Sequence, residues 1–170
     1  MLMIQFYLIF GMFIIFFLQM IIPFFTETFY FDPSVAIIEP WRFITSIFLH
    51  GSFSHLFFNM FAFLMFGSVL ERKVGKTEFL KIFLTGGIIG SVLYYLTIVI
   101  GIAPSIPALG ASGGVYAILG ALAILTPELT ILLFFIPVKM RQAVFIWVLI
   151  EFLGVFNTTS GIARDRKSVV

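Results

Sequence analysis

Long apolar stretches separated by short polar breaks make up almost the whole chain. They fall at about Ile4–Phe25, about Phe43–Leu70, about Phe79–Ile102, from Ser112 to near Thr126, and at about Ala143–Phe156. Several approach or exceed the ~20 residues that a helix needs to cross a bilayer. The pattern therefore predicts an all-α polytopic membrane protein with five spans. Met1–Ile22 has neither a basic leading region nor a small-residue cleavage pattern, so it is expected to be a retained first helix, not a cleaved signal. The first break holds Glu27, Asp32, Pro33, Glu39, Pro40, Trp41 and Arg42, and the second Glu71, Arg72, Lys73, Lys76, Glu78 and Lys81. The third, Ala103–Gly110, is uncharged, and the fourth carries Lys139 and Arg141. Basic residues thus concentrate in the second and fourth breaks, which predicts that these and the N-terminus face the cytoplasm.

The fourth stretch is too short. Ser112 to Thr126 is 15 residues, which at 1.5 Å per residue is ~22 Å against a hydrocarbon core of ~30 Å. Pro127 and Glu128 fix its far end, so Ser112 should lie several ångströms below the outer surface. Non-helical backbone at that depth is tolerated where it is buried in protein or lines water. A water-filled pocket with a serine at its floor follows.

Composition fixes the setting. Hydrophobic residues are 61% of the chain, charged residues 11%, and mean hydropathy is +1.17, against about 25% charged residues in an average soluble domain. There is no cysteine, which excludes disulfides, thiolate catalysis and cysteine-ligated metal. A net charge of +2 gives no footprint for nucleic acid.

The remaining polar groups carry the chemistry. Ser112 lies between Gly110-Ala111 and Gly113 at the start of the fourth stretch. Serine there is commonly a helix cap, but the glycines also allow a substrate backbone to approach closely. The unpaired amides of a first helical turn point toward any developing oxyanion. His55 and Asn59 are four residues apart, on one helix face, and able to reach a common pocket. The alternative role for such a pair is hydrogen bonding between helices. His50, next to Gly51 and Ser52, is expected near the outer interface. No metal is expected, since no third ligand accompanies the two histidines. Glu151 is a second costly intramembrane charge without an assigned role. Gly113, Ala117 and Ala121, with Gly120 alongside, form a small-residue stripe suited to close helix packing.

The order Trp41-Arg42, His50…His55-x-x-x-Asn59, Gly67…Glu71-Arg72…Gly75 and Gly110-Ala111-Ser112-Gly113 with Tyr116 resembles the rhomboid intramembrane serine proteases. The resemblance implies a compact six-helix bundle whose short fourth helix carries the nucleophile. It implies Ser112 as nucleophile, and His55, Asn59 and the Ser112 amide as the oxyanion site. Tyr116, Gly110, Gly113 and His50 would shape the pocket. Trp41-Arg42 would organise the first loop, and Glu71-Arg72 would pin the cytoplasmic turn. The substrates implied are single-pass transmembrane proteins cut near the outer membrane boundary, with no cofactor. A prokaryotic plasma membrane is the expected location.

One part of that pattern is missing. The family's general base is a histidine on the sixth helix, and this chain has no histidine after Ser112. Where that helix should begin the chain reads Asn157-Thr158-Thr159-Ser160-Gly161-Ile162-Ala163-Arg164 and ceases to be apolar. The ending Asp165–Val170 reads as translated sequencing adapter. The expectation is an incomplete membrane domain over residues 1–163, lacking its sixth helix, and a non-native polar tail at 164–170. The stripe on the fourth helix would then face the absent helix. As given, the chain is expected to be inactive; the second reading is a rhomboid-like protein that binds transmembrane segments without cutting them.

Overall fold

The computed structural model describes residues 3–133 and 135–149. Glu151, the end of the fifth stretch and the 164–170 tail lie outside the described residues. Two compact units meet between Ala121 and Leu122. The first comprises α1 (Ile4–Ile21), α2 (Phe25–Phe29), α3 (Arg42–Thr45) continued by a 3-10 turn at Ser46–Phe48, α4 (Phe53–Val74), α5 (Lys76–Val99) and most of α6 (Ser112–Leu125). The second contains an antiparallel hairpin of β1 (Thr130–Leu133) and β2 (Ile136–Lys139), with Thr130 opposite Lys139, then α7 (Met140–Leu149).

The protein is mostly helical, as its apolar pattern predicts, and α1, α4 and α5 are long and apolar enough to cross a membrane. α6 and α7 are apolar but shorter. The hairpin occupies the stretch expected to be a plain connection. Ile131 and Val138 face each other in its register, β-branched residues that suit a pleated pair. Glu128 forms ion pairs with Lys139 and with Arg141, the latter at 2.9 Å.

Two boundaries differ from the sequence pattern. The apolar stretch Phe43–Leu70 is broken at Leu49–Ser52, because the Ser52 hydroxyl accepts the His55 amide at 3.1 Å and starts a new helix there. Conversely, the charged break Glu71–Lys81 is helical apart from Gly75, whose φ of +83° turns the chain between α4 and α5.

α1 begins without a side-chain cap of its own, leaving its first amides without intrahelical partners. Glu71, buried on the last turn of α4, supplies the acceptor: its carboxylate takes the amides of Ile4 at 2.7 Å and Gln5 at 3.0 Å. Gln5 is itself buried, and its Nε2 donates to Ser68 Oγ. A Cβ at Gly67 would come within 2.6 Å of Gln5 Oε1, so the glycine is what lets the amide lie against α4. Glu71 therefore joins α1 to α4, whereas Arg72 is exposed. We expect Glu71→Gln to lose about 1–2 kcal/mol, because an amide oxygen still accepts one N–H while the charge facing the positive end of α1 is lost. Reversible unfolding in mixed micelles measures it; an unchanged midpoint would remove this role from Glu71.

Phe63 of α4 packs against Phe79 and Phe83 of α5, with ring centroids 5.5 and 4.8 Å apart. α5 and α6 approach through glycine. A Cβ at Gly86 would meet the Ala117 Cβ at 2.2 Å and the Gly113 carbonyl oxygen at 3.0 Å. The small residues Gly113 and Ala117 are therefore covered by α5. For that half of the stripe the partner is α5 and not the expected sixth helix, as Gly86, Gly87 and Gly90 in the sequence could have signalled. Gly120 has no neighbour within 4 Å among the described residues.

The first loop is organised by Arg42. Its Nη1 donates to the carbonyls of Glu27 at 2.8 Å and Tyr30 at 2.9 Å, and its Nε pairs with Glu39. Arg42 is buried, while the adjacent Trp41 is exposed. The loop reaches the Ala103–Gly110 connection through a two-bond bridge between Phe31 and Ala108, both bonds 2.9 Å. Tyr94 Oη donates to the Ile106 carbonyl at 2.8 Å and secures the same connection to α5.

Candidate active site

Ser112 is placed by the turn before it. Gly110 has φ +130°, a conformation that L side chains rarely adopt, and its amide donates to the Ser46 carbonyl at 2.9 Å. The turn brings Ser112 to the first position of α6. The Ala111 carbonyl accepts from Val115 at 3.0 Å, so the cap position falls to Ala111. The Ser112 hydroxyl makes no hydrogen bond among the described residues, which argues against the simple capping role. It is half-buried and lines a cavity of about 250 Å³ with Ser46, Ser91, Tyr94, Gly110, Gly113 and Tyr116. Four of those neighbours carry a hydroxyl and the other two expose bare backbone, so the cavity is polar enough to hold water at the depth the short α6 implies. Tyr116 is partly exposed at its edge.

His55 approaches from the other side of Gly110. A Cβ built on Gly110 would lie 2.7 Å from His55 Cε1 and 2.9 Å from Nε2, so the imidazole rests directly on this glycine. The contact is made at Gly110, two residues before the serine in the chain. Asn59, one helical turn on and buried, donates from Nδ2 to the His55 carbonyl at 2.9 Å, leaving its second N–H for another acceptor. His50 lies behind His55, with ring centroids 5.2 Å apart at 70°. It is buried within the protein. Gln19 accepts the His50 amide at 3.0 Å and donates to the His50 carbonyl at 3.2 Å.

The structure thus gathers His50, His55 and Asn59 on one side of Gly110, and Ser112, Gly113 and Tyr116 along the cavity that Gly110 also lines. His55 and Asn59 are not among the cavity's lining residues. Trp41, Arg42, Glu71 and Arg72 stand away from the site, in the first loop and at the opposite end of α4. Sequence reasoning missed Gln19, Ser46, Ser91 and Tyr94. Gln19 had a signal, being an amide in an otherwise apolar span; the other three become visible once the cavity is seen. No group of three or more histidine, aspartate and glutamate side chains suited to a metal occurs among the described residues.

Comparison with known proteins bears on the same residues. The family model for the Rhomboid domain matches residues 38–164, which include the first-loop arginine, the two histidines and Ser112. Rhomboid protease GluP of Bacillus subtilis is 39% identical over 84 residues, 49% of this chain and 15% of its own length. Rhomboid protein 1, mitochondrial, of Saccharomyces cerevisiae is 38% identical over 101 residues, 56% of this chain and 28% of its own. RHOMBOID-like protein 5 of Arabidopsis thaliana is 37% identical over 84 residues, 49% of this chain and 26% of its own. The match thus spans less than a third of the length of each of these relatives. With a family model covering most of the sequence, and three helices long and apolar enough to cross a membrane, the chain is an integral membrane protein of the rhomboid family.

Proposed function

We propose that this chain carries the nucleophile and oxyanion site of an intramembrane serine endopeptidase acting on single-pass transmembrane proteins. The observation that supports it best is the His55 imidazole lying on Gly110, two residues before a Ser112 whose hydroxyl is engaged by none of the described residues. In this reading Ser112 Oγ attacks the scissile carbonyl. The negative charge on its oxygen is met by the His55 ring N–H, the free N–H of Asn59 and the Ser112 amide at the start of α6. Collapse of the tetrahedral intermediate breaks the C–N bond, leaves an acyl-enzyme on Ser112, and releases the amine after it takes a proton. Water from the hydroxyl-lined cavity then hydrolyses the ester. Tyr116 and Gly113 shape the wall of that cavity, and neither metal nor cofactor has a part.

The serine's proton needs an acceptor. Both histidines, His50 and His55, precede Ser112, and His55 is committed as a donor in this mechanism. The general base is therefore proposed to be a histidine on a sixth helix that these residues do not include, residues 1–163 forming the rest of the domain. The basic breaks favour a cytoplasmic N-terminus, with the serine pocket open toward the other side. Relatives with bacterial and with mitochondrial names both match, so the likeness favours no one cellular membrane.

Labelling with a fluorophosphonate serine probe tests the proposal, on this chain and on a form extended by a histidine-bearing sixth helix. We expect the extended form alone to label, and Ser112→Ala to abolish the signal. Absence of the base favours a second reading, a rhomboid-like protein that holds transmembrane segments without cutting them. A folded extended form that does not label would support that one instead.

A further inference from the structure

His55 has no side-chain hydrogen bond among the described residues; its hydrogen bonds there run through its own amide and carbonyl. Its ring is therefore held by packing, between Gly110 on one side and the His50 ring on the other. A site that must present an N–H to a short-lived oxyanion needs that ring fixed before the substrate arrives, and a lone packing contact against a glycine does not fix it. The second contact is unusual. His50 is 1% exposed, yet neither Nδ1 nor Nε2 has a partner among the described residues. A buried imidazole with both nitrogens unpaired contributes its flat ring and its edge, not its hydrogen bonds. Its own position is set through the backbone, since Gln19 of α1 holds both its N–H and its C=O.

The geometry points to His50 as a positioning residue whose ring keeps His55 seated on Gly110, with Gln19 as the clamp that places His50. The chain Gln19–His50–His55–Gly110 connects α1 to the oxyanion donor. This inference rests on the proposed role of His55, but its test reads ring position and not catalysis, so the two can fail separately.

The chain has two histidines, so their ring signals can be resolved in an isotope-labelled sample of the whole chain in micelles. The close approach of Gly110 to His55 Cε1 predicts a nuclear Overhauser contact between His55 Hε1 and the Gly110 α-protons. We expect His50→Phe to keep that contact, because it preserves a ring in the same space. His50→Leu, which fills the space without a ring, is expected to lose it, and so is Gln19→Leu, which frees the backbone of His50 while leaving its ring intact. The amide signals of Ile4 and Gln5, held by Glu71, report whether each variant is folded. Retention of the contact in a folded His50→Leu or Gln19→Leu variant overturns the inference. Its loss in His50→Phe overturns it equally, since that would assign the role to the nitrogens. Should His50→Leu fail to fold, Gln19→Leu and His50→Phe still decide the matter.

Discussion

Gly86→Ala is expected to cost about 3 kcal/mol or more, at the upper end of what overpacking a close contact usually costs. The added methyl would stand 2.2 Å from the Ala117 Cβ and 3.0 Å from the Gly113 carbonyl oxygen. Carbon atoms in contact prefer about 3.5–4.0 Å, and neither neighbour can swing aside: one is the first atom of a side chain and the other is backbone. α5 and α6 must therefore move apart as whole helices, and in a bilayer no hydrophobic force between them compensates, since lipid is as apolar as the seam. Gly11→Ala on α1 is the control, because nothing lies within 4 Å of its Cβ position; there alanine should be neutral or stabilise by up to about 1 kcal/mol through helix propensity. Unfolding of the two variants in the same micelles compares them directly. Equal midpoints would mean that the glycine seam does not set the spacing of α5 and α6.

Gly110→Ala is expected to act on the site itself. The new methyl would come 2.7 Å from His55 Cε1, and its residue would have to adopt φ +130°, so steric and backbone strain combine. His55 has to withdraw from Gly110. Loss of one oxyanion donor slows an acyl transfer by about 10²–10³-fold. We therefore expect the serine-probe labelling rate of the extended, histidine-bearing form to fall by about that factor. Labelling at the parental rate would show that His55 does not serve Ser112 from its place on Gly110.

Much of this arrangement is legible in the residues, for reasons that can be named. The short α6 follows from counting, because Pro127 and Glu128 stop the apolar run and Ser112 starts it. The pairing of His55 with Asn59 follows from helical periodicity. What the sequence conceals is mostly a matter of tertiary choice. The break at Leu49–Ser52 lies inside an apolar run, and it is marked by a cap from Ser52 that any serine could have made. The hairpin at Thr130–Lys139 resembles an apolar connection, since Pro127 and Pro137 suggest irregular backbone. The stripe on α6 is plain, but which helix meets it depends on Gly86 finding Ala117 across the bundle. Glu71 stands among charges that suggest a solvated turn, yet it is buried against amides 66 and 67 residues earlier in the chain.

α1 is gripped twice. Glu71 holds its first amides and Gln19 holds the backbone before α4, two clasps about 21 Å apart along the helix axis at 1.5 Å per residue. A smooth apolar rod in lipid can slide and spin at little cost, because every register exposes similar hydrocarbon. Polar clasps at both ends remove those freedoms: a piston stroke would break both at once, and a rotation would swing Gln5 and Gln19 away from α4 together. α1 is thus a fixed post, and movement among the helices must be sought in those that lack such a double anchor.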